Sequence, residues 1–599
     1  MNIKKMLVII CLTTALSGCG NTNKTNLTEA EQKAGISKKT LDLYAGEDGD
    51  PYDFYFFKEQ KLIPALYIDT LIDDVFEGKL PYKLKKGNNN SQYTIYNIYT
   101  NAEMKIDVKS GDVIYDNLTA FEYGYDDATE NTNFLDEYGG VKEFMTCELV
   151  EEDTTCTKGH EYKINLKDYD IPFMEIDDRL LMPADVFLTL LNNNYGTFYY
   201  DGLKTVSYIN SSIADLYNFT ASKAHMDKDF YTYTYNYFCL IVDRHFGLAG
   251  YSRTMRNNNE EFNYLPSGAL TAFAPYKEDL INSENIDSFD KTMTKMINEQ
   301  LDDGGHTLPL GNSFGGDVES YPDSSKDVLY YSQLQNVIVE ARSNSDDVDC
   351  FVPPIDPLVC YDSDNDEKYD IAYITYDEFL FESNEEAYGF YETLCGKEGI
   401  NAIINPSTET YDSSLYDIKD VVIDISYNGG GDTVAEGLLL SWLTDGVAKQ
   451  TLYGSKDGYY STVAYRYDIN EDGEYNQKDY LPKDINIYIL ISGCTYSAAN
   501  ALAYDLEVYT RNMPKGKNVI FVGSATGGGA CSLTDNLYLP TGYSFRLASN
   551  SVSIDPLDPT ICSENGVQPT ETWECDATQL ATRTGENGLN KAFLDARSE

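Results

Sequence analysis

Beyond about residue 370, apolar and polar positions alternate between the period of a strand and the period of a helix. Strands are predicted at residues 421–425, 485–491 and 519–522, and helices at residues 433–443 and 497–508. Strands that alternate with helices in this way indicate a layered α/β domain. We assign this α/β core to residues 311–599.

The pattern differs in the first half of the chain. Residues 50–218 consist of short strand-like segments and turns, which predict an N-terminal α+β accessory region. Residues 62–65 (Leu-Ile-Pro-Ala) are echoed by residues 181–184 (Leu-Met-Pro-Ala), each followed by similar apolar stretches. This echo is either an internal duplication or a chance similarity. Helical periodicity dominates residues 219–310, which predicts a helical subdomain.

The N-terminus has the pattern of an export signal. Lys4 and Lys5 precede an apolar run over residues 6–16, and Ser17 and Gly18 then lead into Cys19. Residues 1–18 are therefore predicted to be a signal peptide. Cys19 resembles the acylated cysteine of a bacterial lipobox, with residues 19–49 as a tether; the alternative is an ordinary signal peptide with an incidental cysteine. We expect an exported, lipid-anchored protein of the bacterial cell envelope, periplasmic or surface-exposed.

Charge narrows the range of partners. The chain has 45 Lys and Arg against 97 Asp and Glu, a formal net charge of −52. Nucleic-acid binding depends on clustered basic residues, so nucleic acid is excluded as a partner. The membrane is expected to be contacted only through the lipid anchor.

Cysteine usage is consistent with export. Without Cys11 and Cys19, ten of the 12 cysteines remain, and an even number in an exported protein favours disulfides. Their pairing cannot be derived from sequence. The candidates that are close in sequence, or that flank the motifs below, are Cys147 with Cys156, Cys350 with Cys360, Cys562 with Cys575, and Cys494 with Cys531.

Three strands of the α/β core run into small-residue turns. The first turn contains Gly429, Gly430 and Gly431, whose N–H groups suit either a phosphate or a developing oxyanion. No Lys-Ser/Thr follows, so this is not a nucleotide-binding P-loop. The second turn leads to Ser497 at the predicted helix start, where a plain N-cap serine is the alternative. The third turn is residues 527–529, all glycine.

Together these turns resemble the active-site domain of the tail-specific (C-terminal-processing) and tricorn-type serine peptidases. The resemblance rests on residues 424–431 and 495–500, and it departs from the family at Ser426, where arginine is usual. It implies a crotonase/ClpP-like layered catalytic domain. It also implies Ser497 as nucleophile, with the N–H groups of Gly430 and Ala498 as the oxyanion hole and no cofactor for catalysis.

The expected base follows from a second departure. Gly529 stands where the C-terminal-processing branch has its catalytic lysine. The tricorn-like branch instead uses a histidine in an Asp-Gly-His-Thr-like motif, and residues 303–307 (Asp-Gly-Gly-His-Thr) supply His306. A neutral imidazole can accept the serine proton at pH 7. By the same resemblance, Glu564 is the group expected to orient the imidazole.

A separate acidic loop fits the spacing of an EF-hand calcium site. Oxygen-bearing side chains stand at loop positions 1, 3, 5, 7, 9 and 12, with glycine at position 6; they are Asp468, Asn470, Asp472, Glu474, Asn476 and Asp479. The loop predicts a structural calcium ion, and the alternative is an acidic turn without metal.

The function predicted from the sequence is hydrolysis of peptide or protein substrates by a serine endopeptidase through an acyl-enzyme. The alternative is a non-catalytic surface-binding lipoprotein, an adhesin or receptor, that keeps a peptidase-like fold.

Overall fold

The computed structural model describes most of the chain between residues 27 and 597. The described ranges are 27–44, 49–86, 91–123, 147–150, 153, 155–192, 196–209, 226–255, 260–312, 326–343, 358–363, 366–379, 392–396, 399–404, 414–470, 472–482, 484–512, 518–555, 558–570, 573–576, 579–580, 583–584, 589–590, 593–594 and 597. Cys19 and the predicted signal peptide lie outside these residues.

The helices are numbered in chain order. They are α1 (Glu29–Ala34), α2 (Ile68–Thr70, extended by a wider turn over Leu71–Val75), α3 (Leu118–Tyr123), α4 (Ala184–Leu191), α5 (Lys228–His245), α6 (Ala269–Ala272), α7 (Ala274–Ile281), α8 (Ile286–Gln300), α9 (Lys326–Ser343), α10 (Ile400–Ile404), α11 (Thr433–Leu443) and α12 (Ala498–Asn512). Single 3₁₀ turns form at Leu166–Tyr169, Gln477–Asp479 and Ser563–Asn565.

The strands of the first half belong mainly to two sheets. They are β1 (Ser37–Tyr44), β2 (Gly49–Phe56), β3 (Ala65–Tyr67), β4 (Tyr82–Lys86), β5 (Gln92–Asn97), β6 (Glu103–Asp107), β7 (Asp112–Tyr115), β8 (Cys147–Leu149), β9 (Thr155–Thr157), β10 (Tyr162–Asn165), β11 (Met174–Ile176), β12 (Arg179–Pro183), β13 (Thr197–Tyr200) and β14 (Thr205–Ile209). The described strands form one sheet in the order β11-β12-β3-β2-β1-β14-β13 and an antiparallel sheet in the order β10-β7-β6-β5-β4.

The predicted tether is partly folded. Within residues 19–49, α1 and β1 are ordered, and β1 pairs with both β2 and β14 in the first sheet. Helix α1 begins with a capping box between Thr28 and Glu31, which stabilises a short polar helix through two reciprocal hydrogen bonds. Residues 27–44 therefore belong to the N-terminal fold rather than to a free tether.

The two segments that echo each other in sequence are neighbours. Strand β3 pairs antiparallel with β12, with Ala65 opposite Pro183 and Tyr67 opposite Leu181. Each strand leads directly into a helix, α2 after β3 and α4 after β12. The Ala184 N–H also donates to the Pro64 carbonyl at 3.1 Å. The two segments therefore lie side by side in one sheet.

The second half contributes the remaining strands. They are β15 (Ser252–Thr254), β16 (Glu261–Asn263), β17 (Leu308–Asn312), β18 (Leu358–Tyr361), β19 (Tyr369–Thr375), β20 (Tyr416–Asp424), β21 (Ala448–Gly454), β22 (Tyr460–Tyr467), β23 (Asn486–Ile491), β24 (Asn518–Gly523), β25 (Cys531–Leu533), β26 (Leu537–Tyr538), β27 (Tyr543–Arg546), β28 (Ala548–Val552), β29 (Ile554–Asp555), β30 (Asp558–Cys562), β31 (Arg583–Thr584) and β32 (Leu589–Asn590).

A five-stranded sheet in the order β18-β19-β20-β23-β24 forms the centre of the α/β core. Strands β19, β20, β23 and β24 are parallel, and β18 is antiparallel to β19. Helices α11 and α12 pack on this sheet, and Ile423, Leu439 and Leu502 share one buried cluster. Helix α12 buries residues at helical spacing, from Ala499 and Leu502 to Leu506. The mixed α/β class predicted from the sequence agrees with this arrangement.

The accessory region is built into the second half of the chain. Strands β8 and β9 both pair antiparallel with β22, extending the sheet β25-β28-β21-β22. A single apolar cluster runs from Phe54 of β2 through Phe238 of α5 to Phe545 of β27. The predicted domain boundaries therefore mark changes in sequence pattern. The apolar core is continuous across these boundaries.

A buried ion-pair cluster crosses the same junction. Arg244 Nη1 lies 3.1 Å from Glu122 Oε2, and Asn550 Nδ2 donates to the same oxygen at 3.1 Å. His245 Nδ1 is 3.3 Å from Glu122 Oε1. Burial alone would raise the pKa of Glu122, but the Arg244 guanidinium and His245 lower it to about 2. The three-part cluster links α3, α5 and β28.

The predicted disulfides do not form between the cysteines whose side chains are described, which corrects the prediction for these pairs. Cys562 and Cys575 are not bonded to each other, and neither are Cys494 and Cys531. Cys156 and Cys360 also form no disulfide, while Cys350 lies outside the described residues. Cysteines that are close in sequence were predicted to pair, but the fold does not join these cysteines by disulfide bonds.

In the described part of the chain, no helix combines the length and apolar character needed to cross a membrane.

Candidate active site

Three small-residue turns meet at one edge of the central sheet. Strands β20, β23 and β24 are parallel and in register, with Asp424 beside Leu490 and Ile491 beside Gly523. The carboxyl ends of parallel strands lie at the same edge, where α/β proteins commonly bind ligands. The predicted glycine turn, the serine turn and the second glycine turn therefore converge.

Ser497 occupies a strained position between the second turn and α12. Its φ angle is 55°, in the left-handed region that residues other than glycine rarely adopt. The Ser497 N–H donates to the Gly528 carbonyl at 2.9 Å, and its carbonyl accepts from Ala501 at 2.8 Å. Ser497 is half-buried while its neighbours Tyr496 and Ala498 are buried. Its hydroxyl has no hydrogen-bond partner in the described part of the chain.

This position is over-determined by the turn that precedes it. Thr495 Oγ1 donates to the Ile425 carbonyl at 2.8 Å and accepts from the Ser492 N–H at 3.0 Å. The Tyr496 N–H donates to the Asn428 carbonyl at 3.1 Å. Such bonds hold the serine turn against the first glycine turn, which is how a strained backbone persists.

Gly430 lies directly against the serine turn. A Cβ placed on Gly430 would lie 2.7 Å from Ser497 Cβ, 2.7 Å from the Tyr496 carbonyl oxygen and 2.8 Å from the Ala498 nitrogen. Its φ is 98°. Glycine is therefore required here both by its backbone angle and by the close approach.

Ser426, which replaces the family's usual arginine, shapes the start of this turn. Its N–H and hydroxyl both donate to Asp424 Oδ1, at 3.1 and 2.6 Å. Tyr373 donates to the other carboxylate oxygen of Asp424 at 2.7 Å. The Asp424 carboxylate thus holds the backbone at the start of the turn through hydrogen bonds.

The N–H groups expected to form an oxyanion hole differ in their present bonding. The Gly430 N–H donates to Asn428 Oδ1 at 2.7 Å. Within the described residues, the N–H groups of Ala498 and Gly431 have no acceptor. Ala498 is the first residue of α12, where the unpaired N–H groups and helix dipole favour negative charge. The resemblance assigned the oxyanion hole to Gly430 and Ala498, and Gly431 of the same turn is a further available donor.

Glu564 lies at the third turn. It is 1% exposed, and its Oε2 accepts from the N–H groups of Gly529 and Ala530 at 3.1 and 3.0 Å. Its Oε1 lies 3.3 Å from Nη1 of the buried Arg253. The carboxylate therefore fixes the Gly529 backbone, which in turn lies against Ser497: a Cβ on Gly529 would be 2.9 Å from the Ser497 nitrogen.

His306 lies in a loop between α8 and β17. The Asp303 carboxylate accepts from the N–H groups of Gly305 and Thr307, which closes the loop on itself. Strand β17 pairs with β27, where Leu308 is opposite Arg546. Arg546 Nε donates to the His306 carbonyl at 3.3 Å. The side chain of His306 is 5% exposed.

Burial keeps the His306 imidazole neutral. Desolvation lowers its pKa to about 4, helped by the positive charges of Arg546 and Arg253 and opposed by Asp303 and the Cys531 backbone. Nδ1 is buried without a hydrogen-bond partner. At neutral pH the ring is therefore able to accept a proton.

Tyr496 connects the serine turn to the loop that carries His306 (residues 301–307), called here the histidine loop. Its hydroxyl donates to the Asp303 carbonyl at 3.1 Å and accepts from the His306 N–H at 3.2 Å. The two rings meet edge to face, with centroids 4.8 Å apart. Both residues are described, and no hydrogen bond joins the His306 ring to the Ser497 hydroxyl. The structure brings the predicted base to the residue beside the predicted nucleophile.

Helix α9 covers the outer side of both turns. A Cβ on Gly429 would lie 2.8 Å from the Tyr331 hydroxyl, and one on Gly493 would lie 2.8 Å from Leu334 Cδ2. Ile338 and Cys494 form a small buried cluster with these side chains. This contact could not be predicted from local sequence, because α9 lacks a clear amphipathic pattern.

The six predicted calcium ligands lie together in the loop between β22 and β23, where backbone N–H groups occupy several of their oxygens. Asp468 Oδ2 accepts from Gly473 at 2.8 Å, and the two oxygens of Asp479 accept from Asn470 and Asn476. Lys478 Nζ lies 2.7 Å from Asp472. Over the described residues, no group of three or more His, Cys, Asp or Glu side chains is arranged to hold a metal ion. Calcium remains a prediction.

Comparison with known proteins supports the resemblance found in the sequence. Residues 370–571 match the family model described as Peptidase family S41. The match includes Gly430, Ser497 and Glu564, while His306 lies upstream of it. The match supports a peptidase domain in this part of the chain. No curated protein matches the sequence.

Solved structures that are similar to this chain at low identity include mature CPAF complexed with lactacystin and a lipoprotein. Mature CPAF complexed with lactacystin is 12% identical, covering 61% of this chain and 96% of that chain with a TM-score of 0.34. A lipoprotein from Streptococcus agalactiae is 14% identical, covering 61% and 94% with a TM-score of 0.32. The photosystem II D1 C-terminal processing protease is 17% identical, covering 35% and 43% with a TM-score of 0.23. These likenesses are too distant to carry a functional argument.

Proposed function

We propose that the protein is a serine endopeptidase in which Ser497 is the nucleophile and His306 is the general base. The observation that carries the proposal is the backbone of Ser497, whose φ of 55° is maintained between a strand and a helix beside Gly430. A strained strand-to-helix turn that presents a serine is a recurrent way to expose a nucleophile. The match of residues 370–571 to a peptidase family supports the same assignment.

In the proposed reaction, Ser497 Oγ attacks the carbonyl carbon of the peptide bond as its proton passes to neutral His306. The proton then goes to the leaving amine, and water hydrolyses the acyl-enzyme ester. The Ala498 N–H and the first glycine turn stabilise the oxyanion. Gly430 would have to exchange its Asn428 bond for the oxyanion, whereas the neighbouring Gly431 N–H has no acceptor to give up.

Within this reaction, Glu564 holds the third turn through Gly529 and Ala530 and forms an ion pair with Arg253. Glu564 is proposed to act on the imidazole through the third turn, which it holds and which packs on Ser497. Catalysis requires the His306 ring and the Ser497 hydroxyl to come within hydrogen-bond reach when substrate binds.

The decisive experiment combines a fluorophosphonate probe with Ser497→Ala. We expect the probe to label the wild-type protein at Ser497, and the variant to lose labelling and peptide hydrolysis while it keeps its thermal unfolding temperature. Ser524→Ala is the matched control, because Ser524 is also half-buried after a strand of the same sheet. Hydrolysis retained by Ser497→Ala would refute the assignment.

A non-catalytic binding protein is the second candidate. It is favoured by the absence of a hydrogen bond between His306 and Ser497, two described residues, and by the Gly430 N–H that Asn428 already occupies. The same probe separates the two functions: a binder keeps a cleft and is not labelled at Ser497.

We also propose that the protein is exported to the bacterial cell envelope and anchored through Cys19. Cys19→Ala should abolish metabolic labelling with palmitate and release the protein from the membrane fraction. Calcium binding by residues 468–479 is a further proposal, supported by ligand spacing alone. It predicts a rise in the unfolding temperature with added Ca²⁺ that Asp468→Asn reduces.

A further inference from the structure

Tyr496 makes contacts that no other described residue of the site combines. It precedes Ser497 in the chain, and its backbone N–H is bound to Asn428 in the first glycine turn. Its side chain is buried and reaches the histidine loop, 193 residues earlier in the sequence at Asp303. One side chain thus spans the proposed nucleophile and the proposed base.

Tyr496 joins the histidine loop to the Ser497 turn, while Arg546 holds the same loop from the side of β27. Gly304 and Gly305 both have positive φ angles, 86° and 149°, so the loop has little intrinsic rigidity. The Asp303 carboxylate closes the loop internally, but that bond does not locate it relative to Ser497. The Tyr496 hydroxyl bonds the loop backbone at both ends, through the Asp303 carbonyl and the His306 N–H.

The Tyr496 ring also packs against the imidazole, which the Cys531 backbone contacts as well. Nδ1 of His306 is buried without a hydrogen-bond partner. The Tyr496 ring lies edge to face against it at an interplanar angle of 71°. Aromatic edge-to-face contacts are directional and favour one ring orientation.

We infer that Tyr496 is a positioning residue for the proposed peptidase, one that holds the His306 loop and imidazole against the Ser497 turn. This inference rests on the proposed function. Tyr496 acts through His306 and takes no part in bond making. When it is altered, His306 loses its fixed distance from Ser497, and small displacements of a catalytic group reduce rates severely.

The test is Tyr496→Phe, which keeps the ring and removes only the hydroxyl. We expect kcat for a peptide substrate to fall on the order of 10- to 100-fold with KM changed less than about twofold. The acid limb of the kcat profile should move to higher pH, because a loosened loop exposes the imidazole to water. The His306 amide should also exchange faster with deuterium, a readout that is independent of activity.

Tyr504→Phe is the matched control. Tyr504 is buried on α12, and its hydroxyl has no hydrogen-bond partner, so removing that hydroxyl should leave all three readouts unchanged. Thermal unfolding is measured for both variants. The activity assays are then run well below the unfolding transition, so that the folded fraction is equal in both.

If Tyr496→Phe keeps the kcat, the pH profile and the His306 amide exchange rate of the wild-type protein, the inference is overturned. The proposed function would remain intact. A fall in kcat that matches the loss of folded protein would overturn it as well. A wild-type protein that neither hydrolyses peptides nor reacts with fluorophosphonate would instead remove the proposed function and, with it, the role of Tyr496.

Discussion

Gly430 shows how strongly a single position can be constrained. It lies so close to the serine turn that any side chain would contact Ser497 Cβ and the Tyr496 carbonyl at 2.7 Å. Real Cβ atoms do not approach backbone oxygens this closely, so the two turns would have to separate. The glycine therefore sets the spacing between the nucleophile and the donors of the first turn.

Gly430→Ala is expected to reduce kcat/KM about 100- to 1,000-fold, the range found when an oxyanion donor is lost. Gly250→Ala is the control, because Gly250 has a similar φ of 87° but no atom within 4 Å of an added Cβ. Both variants should lose about 1–2 kcal/mol of stability from the left-handed backbone, but only Gly430→Ala should lose activity. Equal activities in steady-state assays would contradict the steric argument.

The pH dependence follows from His306. Its folded-state pKa of about 4 lies below the ordinary value of about 6.5. The imidazole is therefore unprotonated above about pH 4, and the acid limb of kcat/KM should fall well below pH 6.5. As the pH falls, the unfolded state binds this proton before the folded state does. The contribution of His306 to stability is therefore complete above pH 6.5 and is lost as the pH falls towards 4. An acid limb near pH 6.5 would show that the ring is solvated.

At the scale of elements, helix α8 and strand β17 determine how the histidine loop begins and ends. Asp290 of α8 accepts a hydrogen bond from Asn312 Nδ2 of β17 at 2.6 Å. Its other carboxylate oxygen is buried without a partner. Burial raises the pKa of Asp290 to about 7. The carboxylate form is thus disfavoured at the junction that supports His306.

Asp290→Asn is expected to stabilise the protein at pH 8 but not at pH 4. The unfolded aspartate ionises near 3.9, so the folded state pays an increasing cost as the pH rises from about 4 to 7. Asparagine keeps an acceptor for Asn312 and removes the charge, which should gain on the order of 1–4 kcal/mol above pH 7. Urea unfolding at both pH values measures this, with Asp287→Asn, exposed on the same helix, as the control; a gain independent of pH would contradict the explanation.

The elements around the site were predictable because their signals are local. Helix α11 begins at Thr433 as predicted, since Asp432 caps it by accepting from the Val434 N–H. The ends of the central strands were predictable from apolar runs that stop at small residues, serine or glycine. Helix α1 was missed because its capping box lies within a short polar segment. The contacts of α9 and Tyr496 depend on residues far away in the chain, and no local pattern encodes them.

At the scale of the whole molecule, buried polar contacts join the accessory region to the α/β core. Besides the cluster of Glu122, Arg244 and His245, the Asp457 carboxylate accepts from both the N–H and the hydroxyl of Thr119, at 2.8 and 2.9 Å. These contacts bring α3 to the hairpin between β21 and β22. The two halves should therefore unfold together.

Glu122→Gln is expected to destabilise the whole chain by about 3–5 kcal/mol, because it leaves the Arg244 charge buried without its partner. Lys33→Gln, at an exposed ion pair with Glu29, should change stability by no more than about 0.5 kcal/mol. Calorimetry measures both. A variant in which one transition moves and a second stays fixed would show that the halves unfold independently.

The pairing of β8 and β9 with β22 has a consequence for dissecting the protein. The segment that matches the peptidase family, residues 370–571, contains β22 but not the two strands that cover it. Produced alone, this segment would expose the backbone donors and acceptors of β22, and an open strand edge is a template for aggregation. A soluble form of this segment would need residues 147–157 supplied with it, either in the same chain or as a separate peptide that completes the sheet.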